Sequence, residues 1–145
     1  INDNDNNCIY IYESSLNKEF ICIDTLETAG QINEMAFGGI MYWYWLVATG
    51  SNGAHVYQKN YGYKANDTCW YWKHYLADQK TPTPCNLIVS GDHSYYTIKE
   101  NTLYLHKYVV GDDKWEIKKI MEDNGYANAF HCATALESNG AGYGQ

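Results

Sequence analysis

The sequence predicts an α+β protein in which a mostly antiparallel sheet is covered by one or two helices. Short runs rich in Tyr, Trp, Ile and Val alternate with turn residues over most of the chain, as in antiparallel sheets. One early segment has apolar residues at helical spacing, and an Ala-rich stretch near the end has the same pattern. With 145 residues and no break in composition, the chain has the size of one domain.

The first elements are a polar arm and a hairpin. Residues 1–7 are nearly all Asn and Asp, which predicts a flexible arm. Residues 9–12 and 20–23 are typical of strands, and the polar residues between them favour a turn centred near Ser15.

A short helix is expected next. Thr28 and Gln31 fit a capping box, and Ile32 and Met35 follow at helical spacing. Gly38 and Gly39 then favour the end of the helix. This pattern predicts a helix over residues 28–37.

The middle of the chain predicts strands separated by turns. Aromatic and aliphatic residues fill both alternating positions from 40 to 49, which is typical of a strand covered on both faces. Residues 115–121 fit either a helix or a strand. Further strands are expected at residues 55–59, 69–75, 87–89, 95–98 and 102–110.

The C-terminal third predicts a second helix, over about residues 126–137. Its apolar residues recur at helical spacing, and Ser138-Asn139-Gly140 favours a C-cap. Residues 140–145 are predicted to be a flexible tail. The buried stripe of this helix would consist of Tyr126, Phe130, Ala133 and Leu136.

Five cysteines suggest two disulfides and one remaining thiol. A turn near residue 15 places Cys8 opposite Cys22, at a distance that suits a disulfide. Cys69 and Cys85 flank a Pro-containing loop, and a bridge there would contribute about 3 kcal/mol through loop closure. Cys132 is then left as a buried thiol or as a bond to a partner chain.

Secretion is the expected localisation. The chain begins at Ile1 rather than Met, and Asn66-Asp67-Thr68 is a glycosylation sequon. Together with the cysteines, these features predict an extracellular protein that carries a glycan at Asn66. The longest apolar run is short, so no transmembrane segment is expected.

Charge and motifs exclude several classes of function. Seventeen acidic residues against ten basic ones give a net charge of −7, which argues against nucleic acid as a partner. All the basic residues are Lys, and the absence of Arg argues against phosphate recognition. No histidine pair has a metal-binding spacing, and no catalytic or cofactor motif is present, so we expect no metal, no cofactor and no enzymatic activity.

The aromatic residues carry the functional prediction. They make up 16% of the chain, with 15 Tyr and 5 Trp but only 3 Phe, and Tyr and Trp keep a polar group that reaches water. Trp43 and Trp45 lie on one predicted strand, and Trp70 and Trp72 on another. If one face of either strand is open, its rings form a ligand-binding surface; the alternative is that helices bury them.

These features predict a secreted, non-enzymatic recognition protein that binds a neutral glycan or a cell-surface partner. In architecture alone, a small acidic secreted α+β chain with disulfides is similar to yeast killer toxins, and the resemblance implies an antagonistic toxin as the alternative. A further alternative is an extracellular structural protein that self-associates through Cys132 or aromatic strand edges. A hydrolase comes last, because the acidic residues show no informative spacing.

Overall fold

The computed structural model of the protein describes residues 1–14, 16–17, 19–40, 43–64, 67–81, 85–89 and 93–122. Within these ranges the chain forms eleven β-strands and no helix. The strands are β1 (Asn2–Asp3), β2 (Cys8–Ser14), β3 (Phe20–Glu27), β4 (Ile32–Ile40), β5 (Trp43–Gly50), β6 (Gly53–Lys64), β7 (Asp67–Asp78), β8 (Asn86–Val89), β9 (Ser94–Lys99), β10 (Thr102–Val109) and β11 (Lys114–Glu122).

The strands form three antiparallel sheets, and each sheet contains only consecutive strands. Strands β1 to β3 make the N-terminal sheet, β4 to β7 the central sheet, and β8 to β11 the C-terminal sheet. In all three, each strand pairs with its neighbour in the sequence, so every sheet is a meander made from one stretch of chain.

The central sheet packs on both of its faces. On one face, Leu46 belongs to a buried cluster with Ile9 and Leu26 of the N-terminal sheet. On the other face, Val47 belongs to a buried cluster with Val89 of the C-terminal sheet. Successive residues of β5 therefore serve two cores, because side chains alternate between the faces of a strand.

The predicted α+β class is wrong, because the described part of the chain is all-β. Sheets cover the two faces of β5, in the place where helices were expected. Residues 115–121, which fit either class of element, lie in strand β11.

The helix predicted over residues 28–37 is also wrong, because strand β4 occupies Ile32–Ile40. A β-bulge between Ile32 and Glu34 explains the misleading pattern. The extra residue puts Ile32 and Met35 on the same face, where both join the cluster shared with the N-terminal sheet. An irregular strand thus reproduces the three-residue spacing of a helix.

The first hairpin is present, but its register differs from the prediction. Strand β2 continues to Ser14, and Cys8 lies opposite Glu27 while Cys22 lies opposite Tyr12. The expected Cys8–Cys22 bridge is therefore absent, and both residues are free thiols. Cys85 is also a free thiol, buried in the core, so it is not joined to Cys69 in this structure.

Residues 1–7 form strand β1 and a turn in place of the expected flexible arm. The Asn4 side chain holds this segment against β4: its amide nitrogen donates to the Ile32 carbonyl at 3.0 Å, and its oxygen accepts from the Ile32 N–H at 2.7 Å. Asp3 closes the turn by accepting from the N–H groups of Asp5 and Asn6. Polar side chains here replace the hydrogen bonds of a longer strand.

Several expectations fall outside the described residues. They are the helix over 126–137 with its tail at 140–145, the glycosylation site at Asn66, and the state of Cys132. Across the part of the chain that is described, no helix has the length and apolar character needed to cross a membrane.

Candidate functional site

One open group of aromatic side chains crosses the central sheet. It takes residues from all four strands: Phe37 from β4, Tyr44 from β5, Lys59 from β6, and Trp70 and Trp72 from β7. We call these five residues the aromatic surface.

Strand register brings these side chains together. Lys59 lies opposite Trp72, and Trp70 lies two residues further along β7, on the same face. Tyr44 lies opposite Gly39, which has no side chain. This leaves the ring of Phe37 room to stack diagonally on Tyr44.

The rings and the ammonium group are in direct contact. Phe37 and Tyr44 have ring centroids 5.7 Å apart and planes inclined by only 12°, whereas Phe37 and Trp72 are 5.9 Å apart and tilted by 54°. Lys59 Nζ lies 5.8 Å from the ring centroids of both Tyr44 and Trp70. Cation–π attraction at these distances holds the ammonium group between the two rings.

Exposure divides the aromatic surface into a buried base and open rings. Trp72 is 7% exposed and anchors the surface in the cluster with the N-terminal sheet. Phe37 is 61% exposed and Trp70 is 45% exposed, so both rings can meet a ligand. Flat open rings beside a fixed hydrogen-bond donor suit a ligand with apolar ring faces and hydroxyl groups.

The structure separates the four tryptophans that the sequence singles out. Trp45 is 3% exposed and lies in the core between the central and C-terminal sheets, where its ring contacts Trp115. Trp72 is buried in the core shared with the N-terminal sheet, whereas Trp70 is open. Trp43 belongs to β5, but its side chain lies outside what the structure describes.

A second polar cluster lies in the interior, around Asp78 at the end of β7. Its Oδ2 accepts from the Tyr95 hydroxyl at 2.8 Å and from His106 Nδ1 at 2.9 Å. His106 Nε2 in turn lies 2.9 Å from Thr97 Oγ1. Thr97, His106 and Asp78 thus follow the hydrogen-bond order of a hydrolytic triad.

Burial shows that this buried network is structural. Thr97 and His106 are 0% exposed and Asp78 is 2% exposed, so no substrate reaches the threonine hydroxyl. Burial acts to raise the pKa of Asp78, but hydrogen bonds from His106, Tyr95 and the Lys80 N–H outweigh it and hold the pKa below its usual value. Burial and the charge of Asp78 both raise the pKa of Tyr95, which stays neutral.

Sequence reasoning finds some of these residues and misses others. Trp70 and Trp72 stand out because both belong to a dense aromatic run. Phe37 is missed because it falls in the expected helix, and Lys59 because a lone lysine on a strand carries no signal. The members of the buried network come from three separate strands and a connecting segment, and only strand pairing brings them together.

Comparison with protein-family models, with curated proteins and with solved structures finds no match to this chain.

Proposed function

We propose that this chain is a recognition protein whose aromatic surface binds a neutral glycan. The observation that carries the proposal is the exposure of Phe37 and Trp70, which lie on the two outer strands of the central sheet. The apolar faces of sugar rings stack on such side chains, and rigid aromatic rings lose little conformational entropy on binding.

Lys59 defines the polar part of the proposed site. Its ammonium group is held between Tyr44 and Trp70, where it donates hydrogen bonds to the hydroxyl groups of a sugar. The net charge of −7 and the lack of Arg disfavour polyanionic glycans.

Binding of soluble neutral polysaccharides, measured by calorimetric titration and on a glycan array, tests this proposal. We expect Trp70→Ala to weaken binding by about tenfold to a hundredfold, since a lost stacking ring removes its buried area and its ring contact. Phe20→Ala is the matched control, because Phe20 is 75% exposed but lies in β3, outside the aromatic surface.

Two results would contradict the proposal. One is the absence of binding by the unaltered protein to every neutral glycan on the array. The other is equal affinity of the Trp70→Ala variant and the unaltered protein for a glycan that does bind.

Two other functions inferred from the sequence stay predictions. A killer-type toxin would need a target-cell activity that no described contact indicates. A self-associating structural protein would depend on Cys132, which lies outside the described residues, or on exposed strand edges.

A further inference from the structure

Two histidine side chains of the central sheet lie next to each other, with their ring nitrogens within hydrogen-bonding distance. His55 lies on β6 and His74 on β7, and His55 Nδ1 lies 3.1 Å from His74 Nε2. The ring centroids are 5.3 Å apart and the planes are tilted by 47°. His74 is exposed and His55 is partly buried, so the pair is open to solvent.

A β-bulge creates this pairing. The register shifts between Val56, which faces Leu76, and Tyr57, which faces His74. The skipped residue is Tyr75, which packs against the core shared with the C-terminal sheet. The bulge thus brings His74 next to His55 on the opposite face of the sheet, and bulges commonly re-aim side chains at functional sites.

We propose that His55 and His74 form a bidentate site for a divalent transition-metal ion of the copper or nickel type. Imidazole nitrogens bind such ions at about 2.1 Å, and at that length two nitrogens 3.1 Å apart subtend an angle of about 95° at the metal. This angle is close to the right angle between neighbouring ligands in square-planar and octahedral complexes, and it is narrower than a tetrahedral zinc site requires.

The second nitrogen of His55 supports the assignment. His55 Nε2 is buried and has no hydrogen-bond partner among the described residues. A cavity of about 10 Å³ adjoins His55 between residues 29–32 and 50–52, and this is about the smallest space that holds one water molecule. A water there would accept a hydrogen bond from the Nε2–H and so fix the tautomer in which Nδ1 is unprotonated and able to bind an ion, as outer hydrogen bonds fix histidine ligands in metal sites.

Metal binding at this pair needs no net loss of a proton. In the metal-free pair one ring donates an N–H to the other. When the ion enters, that proton moves to the far nitrogen of the same ring, which is accessible to solvent at His74. No group of three or more His, Cys, Asp or Glu side chains converges in the described part of the chain, so water fills the remaining coordination positions.

Calorimetric titration of the untagged full chain with Ni²⁺ tests the proposal. We expect one ion to bind the unaltered protein, and His74→Gln to weaken binding by at least about tenfold. His93→Gln is the matched control: it also removes a histidine, but one that contacts Trp45 on the other face of the central sheet. Its affinity for Ni²⁺ should equal that of the unaltered protein.

A spectroscopic measurement on the unaltered protein keeps the proposal falsifiable even if the His74→Gln variant misfolds. One equivalent of Cu²⁺ should give an electron paramagnetic resonance spectrum with hyperfine coupling to two imidazole nitrogens. Coupling to fewer than two nitrogens, or equal Ni²⁺ affinity of His74→Gln and the unaltered protein, would overturn the assignment.

Discussion

Asp78 holds together parts of the chain that are distant in sequence. Its carboxylate accepts hydrogen bonds from Tyr95 on β9, His106 on β10 and the Lys80 N–H. Thr81 completes the buried network through the Tyr95 hydroxyl, at 2.5 Å. A buried charge is tolerated only when several donors replace the water it has lost, and this one has three.

We expect Asp78→Asn to lower the free energy of unfolding at neutral pH by about 3 kcal/mol, because an amide has only one acceptor oxygen for these donors. Asp112→Asn is the matched control: this carboxylate is 57% exposed and pairs with Lys114 at 2.9 Å. Exposed pairs of this kind contribute about 0–1 kcal/mol. Urea unfolding of the two variants measures the difference.

The difference in the free energy of unfolding between Asp78→Asn and the unaltered protein should depend on pH. The pKa of Asp78 is lowered in the folded protein, so its contribution to stability is complete above the unfolded value of about 3.9. That contribution is lost as the pH falls through the lower folded value. The gap between Asp78→Asn and the unaltered protein should therefore narrow below about pH 4, and a constant gap from pH 7 to pH 3 would contradict the assignment.

The sequence identifies the aromatic residues but does not show which of them are exposed. The aromatic density around Trp70 and Trp72 is visible in the sequence, and both residues lie in the aromatic surface. The sequence does not show that Trp45 is buried while Trp70 is open, because both stand in similar runs of Tyr and Trp. That distinction depends on which sheet covers which face.

At the level of elements, strands β4 and β8 lie so close that their backbones are in contact at Gly38 and Val89. A Cβ atom on Gly38 would lie 2.6 Å from the Val89 carbonyl oxygen and 3.1 Å from the Val89 Cβ. Real Cβ atoms do not come so close to backbone, so one of the two strands would have to shift. Glycine at position 38 therefore allows this contact between the central and C-terminal sheets.

We expect Gly38→Ala to lower the free energy of unfolding by about 1–3 kcal/mol, the usual cost of overpacking. Gly111→Ala is the matched control, because nothing lies within 4 Å of a Cβ built at that position. Gly111→Ala should change the free energy of unfolding by no more than about 0.5 kcal/mol. Equal midpoints of the two variants in denaturant would show that β4 and β8 separate freely.

Most strands could be predicted from the sequence, whereas their register could not. Residues 9–12, 20–23 and 95–98 were identified from alternation and turn residues, and all lie in strands. The two failures have different causes: a bulge between Ile32 and Glu34 gives β4 a helical spacing, whereas the first hairpin turns later than expected, since Ser14 lies opposite Phe20. A bulge depends on pairing with another strand, so local patterns do not reveal it.

At the level of the whole molecule, the central sheet links two cores through neighbouring residues. Leu46 serves the core shared with the N-terminal sheet, and Val47 the core shared with the C-terminal sheet. Loss of packing on one face therefore disturbs the strand that supports the other face. This arrangement favours unfolding in a single step.

The expected result is one transition in urea, seen alike by tryptophan fluorescence and circular dichroism. Leu26→Ala and Leu87→Ala each remove a buried leucine from one of the two cores, and each should cost about 2–5 kcal/mol. Both variants should keep coincident curves for the two probes. Separate transitions in either variant would show that the sheets unfold independently.

The three meanders stack in the order in which they occur in the chain. The N-terminal sheet lies on one face of the central sheet and the C-terminal sheet on the other. On the ribosome, each sheet can therefore dock onto a neighbour that has already been synthesised. In the described part of the chain no strand has to be inserted between two finished layers, so the three sheets can fold in the order of their synthesis.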